Sequence, residues 1–379
     1  MQVAIYIHIP FCRSRCTYCD FNTYAGLGTL LPAYVAAVCQ EIKLAGERWG
    51  HLIVPTIYFG GGTPSILPPD LLAELLHALR STFHVSQDAE ITLEANPGTV
   101  NANRLRQLRT SGMNRLSLGV QSAHDDELGL LGRIHTWAEA VETVKAARGA
   151  DFDNLSLDFI FGLPGQTLAR WKETLDAALA LSPEHLSLYC LIIEENTPLA
   201  KQIAQSPIAP PDPDLAAEMY ELAEKTLAEA GFFHYEISNW ARANLKPYVC
   251  RHNLTYWRNE PWLGIGAGAH SWLDKRRWAN ARHPREYIAA LEQNNIPITE
   301  TETIDQRMEM GETMMMGLRL AEGINDIRFR ARFGIGLEKV FGEELTRLKD
   351  LGLLEWDGDT ARLTERGRLL GNQVFVYFV

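Results

Sequence analysis

Six short runs rich in β-branched, aliphatic and aromatic residues recur in the first half of the chain, at residues 3–9, 53–62, 90–97, 115–121, 154–161 and 185–193. Helical stretches and short turns separate them. Runs of this kind read as strands, and strands alternating with helices specify β–α units with a parallel sheet. Between the runs, residues 31–49 place Val35, Val38, Cys39 and Ile42 on one helical face, which makes Cys39 a core residue rather than a ligand. Residues 69–83 carry Leu71, Leu72, Leu75, Leu76 and Leu79 as a second buried stripe. Polar residues collect towards the strand ends, at Glu94, Gln121 and Asp158. In α/β barrels that end is where active sites form. A carboxylate just past a strand is also a common helix N-cap, so position alone leaves both readings open.

The first run leads directly into Cys12, Cys16 and Cys19, spaced C-x3-C-x2-C. Three thiolates on one short loop can hold three corners of a cubane iron–sulfur cluster and leave the fourth iron open to a chelating small molecule. A disulfide framework would want an even number of cysteines in a small secreted domain. A zinc site would want a fourth ligand in range, and none is evident nearby in the sequence. The second run ends in Gly60-Gly61-Gly62, followed by Thr63-Pro64-Ser65. Glycines there let backbone amides and carbonyls approach a ligand, although a plain turn has the same composition.

Beyond the sixth run lie a proline-rich connector at 206–214, a helix over 215–230 and an extended segment over 232–240. Residues 250–257 contain the pattern H-N-x-x-Y-W from His252 to Trp257, and the glycine-rich run that follows ends in His270. From residue 301 the character changes. A Met-rich amphipathic helix over 308–320 reads as packing, and short helices with a small β-containing turn suggest a winged-helix-type α+β domain. That domain lacks a basic recognition helix, so nucleic acid is not expected as its partner; it is expected to cover the open side of the first domain. The implied division is 1–240, a connecting segment 241–300, and 301–379.

Composition excludes further classes. The net charge of −11 argues against a general nucleic-acid or anionic-membrane surface. No window approaches the ~18 uninterrupted apolar residues of a spanning helix, and the N-terminal run is interrupted too early for a signal peptide. Six cysteines, three of them in a metal-ligand pattern, fit a reducing cytoplasm.

The cysteine spacing resembles the signature of radical S-adenosylmethionine (SAM) proteins, in which SAM chelates the open iron of a [4Fe-4S] cluster. The likeness covers almost the whole chain and is nearest to the branch holding oxygen-independent coproporphyrinogen III oxidase and the HemW-type heme chaperones. It implies a partial (β/α)6 barrel with a lateral opening. By the same resemblance Tyr6, Tyr18, Gly61, Gly62, Thr63, Glu94, Gln121, Arg133 and Asp158 contact SAM. Carboxylates and amides suit ribose hydroxyls, Arg133 suits a carboxylate, and Tyr18 suits packing against adenine.

Two features separate the branches. The oxidase carries a further cysteine where this chain has Phe21, and it has a substantial extension before its first strand, whereas here the strand begins at residue 3. The H-N-x-x-Y-W pattern resembles a marker of the chaperones. The expectation is therefore a cytoplasmic heme chaperone, with heme, SAM and a cluster as cofactors. Its partner would be an acceptor hemoprotein or a respiratory-chain component, and a dimer is compatible with the reading. His252 is the first choice for heme iron, with Cys250 and His270 behind it, and Arg251, Arg258 and His270 suit the propionates. The alternative is oxidative decarboxylation of coproporphyrinogen III, and a more distant one is another radical SAM reaction such as methyl transfer.

Overall fold

A computed structural model describes residues 1–205, 210–243 and 248–379; residues 206–209, part of the proline-rich connector, and 244–247 lie outside the described residues. All six expected strands form: β1 (Ala4–Ile9), β2 (Ile53–Gly61), β3 (His84–Ala95), β4 (Arg115–Gln121), β5 (Leu155–Phe161) and β6 (His185–Cys190). Each pairs in parallel with the next in chain order. Helices Leu31–Trp49, Pro69–Thr82, Ala102–Ser111, Trp137–Arg148 and Leu168–Ala180 provide the crossovers. Strand β3 starts at His84 rather than residue 90, because its first residues are polar and largely exposed and carry no apolar alternation.

Period-two alternation splits each strand between two environments. Along β4, Leu116, Leu118 and Val120 join the apolar core under the helices, while Arg115, Ser117, Gly119 and Gln121 line an interior cavity. In β5, Leu155, Leu157 and Phe159 are core and Asp158 lines the cavity; in β6, Leu186 and Leu188 are core and His185 and Ser187 line it. Asp158 therefore sits at the middle of its strand, not at its end. A closed α/β barrel fills its interior with branched apolar side chains. Here the apolar core lies outside the sheet and the inside is polar.

The sheet also does not close on itself. Four further strands follow: β7 (Phe232–Glu236), β8 (Asn239–Arg242), β9 (Trp262–Ile265) and β10 (His270–Leu273). Then come β11 (Arg276–Asn280) and β12 (Ile298–Thr303). Strand β9 pairs parallel with the free edge of β1, and β8 pairs antiparallel with β6. Among the described residues this gives a 12-stranded sheet in the order β12-β11-β10-β9-β1-β2-β3-β4-β5-β6-β8-β7. Within residues 241–300, read from the sequence as a connecting segment, strands β9–β11 extend the same sheet and Arg251–Trp257 forms a short helix.

The remainder has its own apolar core. Helix Gln306–Gly317, strand Ile324–Asn325, helices Asp326–Phe333 and Leu337–Asp350, and strands Leu354–Trp356 and Thr360–Leu363 follow in order. The three strands pair antiparallel with Thr360–Leu363 in the centre, the helix–strand–helix–helix–hairpin order of a winged helix. This unit docks on the sheet through Ile237 N to Arg319 O (3.2 Å) and Ala321 N to Tyr235 O (3.0 Å). Arg332 Nη2 also donates to Asn259 O (2.8 Å), just past helix Arg251–Trp257.

A single buried carboxylate ties the barrel helix Leu31–Trp49 to the β9–β11 extension. Glu41 accepts hydrogen bonds from Gly266 N (2.9 Å), Asn280 Nδ2 (2.6 Å) and Tyr287 Oη (2.5 Å). Burial outweighs these donors and pushes the carboxyl from 4.5 up to about 7. A raised acid favours the folded state most below its unfolded value of 4.5, and stability falls as pH rises from there to about 7. Tyr287→Phe removes one donor to the ionised form. Urea unfolding should therefore show a loss of about 1.5–3 kcal/mol at pH 8 and a smaller loss at pH 5.5.

Candidate functional site

The interior cavity has a volume of about 590 Å³ and runs from the cysteine loop at the C-terminal ends of the strands down to their N-terminal ends. Its far end is closed by helix Arg251–Trp257. Glu90, low on β3, anchors that helix: its carboxylate accepts Arg251 N and His252 N, both at 3.1 Å, and the Cys250 thiol at 3.7 Å. An acceptor at a helix N-terminus satisfies amides that have no partner in the helix. All the residues singled out as SAM or cluster contacts line this one cavity, as do His252 and Cys250, whereas His270, Arg251 and Arg258 lie outside its lining.

At the open end the three thiols are unbridged. Each has a donor or hydroxyl close to its sulfur: Thr63 Oγ1 to Cys12 at 3.5 Å, Arg133 Nη1 to Cys16 at 3.3 Å, and Thr23 Oγ1 near Cys19 at 4.0 Å. Donors directed at sulfur, with a cation in reach, suit thiolate ligands. Among the described residues no three His, Cys, Asp or Glu are gathered around one point as for a single ion. Three thiols on one loop, each with a donor or hydroxyl near its sulfur, are the donor set that a cubane cluster takes.

The glycine run serves the cysteine loop directly. A Cβ at Gly62 would stand 2.7 Å from Phe11 O and 3.0 Å from Cys12 Sγ, and one at Gly61 would stand 2.5 Å from the His8 ring. Gly61 also holds a left-handed φ of 113° and donates its amide to Glu94 (3.2 Å). The sequence reading reserved this clearance for a ligand; the protein's own loop occupies a share of it.

Arg133 links the parts. Besides Cys16 it donates to Gly119 O (2.6 Å) and to Asn96 Oδ1, and Asn96 Nδ2 in turn donates to Thr63 Oγ1 (3.0 Å). Glu94 accepts from Tyr58 Oη at 2.8 Å, and burial, with nearby Asp158, pushes its carboxyl up to about 7. Asp158 is buried too, which raises it, against the pull of Arg115 and of serine hydroxyls. Ser117 Oγ lies 3.0 Å and Ser156 Oγ 3.0 Å from its oxygens. Gln121 adopts φ 75°, a left-handed conformation unusual for glutamine, at a register shift in the β4–β5 pairing. Tyr6 donates to His8 Nδ1 at 3.0 Å, and burial raises the Tyr18 phenol despite Arg133 beside it.

The candidates for heme iron differ sharply. His252 is buried, with Nδ1 2.9 Å from Thr56 Oγ1 and Nε2 2.9 Å from Tyr256 Oη. Its ring stacks on Tyr58 at 5.1 Å, and burial pulls its pKa down to about 3. Neither nitrogen is free. The Cys250 thiol is pushed up to about 12 by burial and is held by Glu90. His270 is exposed.

The sequence reading missed Arg115, Tyr58, Asn96, His185 and the serines around Asp158. A signal existed. The tripeptide Leu-Ser-Leu occurs in β4, β5 and β6, as Leu116-Ser117-Leu118, Leu155-Ser156-Leu157 and Leu186-Ser187-Leu188. One small polar residue in the inward phase of three neighbouring strands marks a polar interior.

Comparisons with known proteins agree with this arrangement. Residues 6–178 match the model of the radical SAM superfamily, and residues 304–370 match the HemN C-terminal domain. Coproporphyrinogen III oxidase (HemN) from Escherichia coli superposes with a TM-score of 0.87 at 23% identity, covering 100% of this chain and 90% of that one. The heme chaperone HemW of Bacillus subtilis is 37% identical over 375 residues, 99% of this chain and 98% of its own. That of Synechocystis is 40% identical over 333 residues, 86% of this chain and 79% of its own. A mitochondrial radical S-adenosyl methionine domain-containing protein 1 from Bos taurus is 35% identical, covering 97% of this chain and 85% of its own. With a six-strand half-open barrel, a cysteine loop at its mouth and full-length likeness to these chaperones, the chain belongs to the HemW family of radical SAM proteins.

Proposed function

We propose that this protein is a cytoplasmic heme chaperone that binds heme, carries a SAM-coordinated [4Fe-4S] cluster and passes heme to an acceptor hemoprotein or respiratory-chain partner, alone or as a dimer. The observation that carries the reading is at the cavity mouth. Phe21 stands where the oxidases place a further cysteine, and it is 65% exposed, with Tyr189 and Ile192 also exposed on the rim. Exposed aromatic and aliphatic side chains around a cavity suit a flat apolar macrocycle. No helix among the described residues is long and apolar enough to cross a membrane.

In this reading Cys12, Cys16 and Cys19 hold the cluster, and SAM occupies the pocket lined by Tyr6, Tyr18, Gly61, Gly62, Thr63, Glu94, Gln121, Arg133 and Asp158. When bound and reduced, the cluster supplies an electron able to cleave SAM. Arg133 braces the loop of Cys16, Glu94 and Asp158 offer acceptors to ribose hydroxyls or the amino group, and Tyr18 shields one side from water. His252, the first choice for heme iron from the sequence, lines the cavity, but its ring would first have to release Thr56 or Tyr256. His270 is exposed outside the cavity lining and needs no such release, and we favour it for a heme bound at the surface.

Three measurements follow. In an anaerobic assay with reconstituted cluster, SAM, reductant and coproporphyrinogen III, no protoporphyrinogen should form while a true oxidase turns over alongside; turnover would establish the oxidase instead. In a hemin titration, His270→Ala should shift the Soret band and His252→Ala should leave its position unchanged. The reverse pattern would restore His252 as ligand. Because burial pushes the Glu94 carboxyl up to about 7, and only the ionised form offers both oxygens as acceptors and a charge for the amino group, SAM affinity should rise from pH 6 to pH 8, by up to about 10-fold per unit below the pKa. Glu94→Gln should flatten that profile.

A further inference from the structure

Arg115 opens β4 at the closed end of the cavity, is only 2% exposed, and lines the cavity wall. Its Nε has no hydrogen-bond partner, and among the described residues its guanidinium makes no ion pair. A buried guanidinium is costly unless an anion or acceptor meets it. The carboxylates around it are committed elsewhere. Glu90 is held by the amides of Arg251 and His252, Glu94 by Tyr58 and Gly61, and Asp158 by Ser117 and Ser156. His185 is likewise closed off, with its ring nitrogens 2.8 Å from Ser156 Oγ and 2.8 Å from Tyr235 Oη. The cavity that Arg115 lines is continuous with the mouth, and Asn239, Asn253 and Ser187 line it as well.

We propose that Arg115 is the anchor of a second ligand site, beneath the SAM pocket, that receives a carboxylate. The planar fork of a guanidinium matches two carboxylate oxygens, and neighbouring amide and hydroxyl groups complete their hydrogen bonds. A cationic group is disfavoured beside Arg115 by like-charge repulsion. The carboxylate arrives either on a propionate arm of the tetrapyrrole, which rests on the heme reading above, or as a free small acid, which does not.

The test uses the full chain, wild type and the variants Arg115→Gln and Arg115→Lys. Soret titrations compare hemin with its dimethyl ester, which lacks carboxylates. Thermal unfolding is followed in rising sodium acetate against sodium perchlorate at equal ionic strength. If the propionate is the guest, wild type binds hemin about 10-fold or more tightly than the diester. Arg115→Gln then abolishes that preference and Arg115→Lys restores part of it. If a free acid is the guest, hemin and diester bind alike, while acetate raises the unfolding midpoint of wild type and not of Arg115→Gln. Equal binding of both porphyrins together with no acetate-specific stabilisation of wild type overturns the proposal and leaves Arg115 a hydrated charge. The wild-type comparisons stand even if Arg115→Gln fails to fold. Absence of any hemin binding by wild type would defeat the heme reading alone, because the acetate series still reads the site.

Discussion

The polar inward face of the strands is the constraint on which the rest of the structure depends. Ser117, Ser156, Asp158, His185 and Arg115 cannot pack as a hydrocarbon core, so the barrel cannot collapse around them. Hydrogen bonds join neighbouring strands instead: Ser117 on β4 donates to Asp158 on β5, and Ser156 on β5 bonds His185 on β6. The interior stays hollow, and the apolar faces of the same strands do all their packing against the outer helices.

A hollow barrel needs an end wall, and the chain provides one late in the sequence. Helix Arg251–Trp257 enters at the N-terminal ends of the strands, pinned by Glu90 on its first amides and by Thr56 on the His252 ring. The winged-helix unit then packs behind it, with Arg319 over the Trp257 ring at 5.1 Å. The aromatic and histidine density of residues 250–257 thus belongs to a plug. The plug also places the cavity's functional opening at the cysteine end.

At that opening, loop and sheet are mutually dependent. The cysteine loop can lie against β2 only because Gly61 and Gly62 have no side chains, and Arg133 spans from Cys16 to Gly119 and Asn96. Much of this was legible beforehand. The three cysteines, the glycine run and the six apolar runs are local patterns whose spacing reports their geometry directly. Arg115 was not legible in the same way. It reads as an ordinary charged residue at the start of a strand, a position usually exposed, and its burial follows from which face of β4 turns inward.

The sequence by itself determined the parallel β–α order, the cysteine loop at a strand end and the separate winged-helix unit, since each rests on short-range periodicity or spacing. Tertiary structure alone decided that the sheet stays open, that strands β9–β11 join its free edge, and that His252 lies inside with both nitrogens engaged. Those outcomes depend on edge pairing and burial between segments as far apart as Thr56 and His252. Local pattern carries no information about which distant edges and side chains will meet, and it is those meetings that set the charge, hydrogen bonding and accessibility of each group.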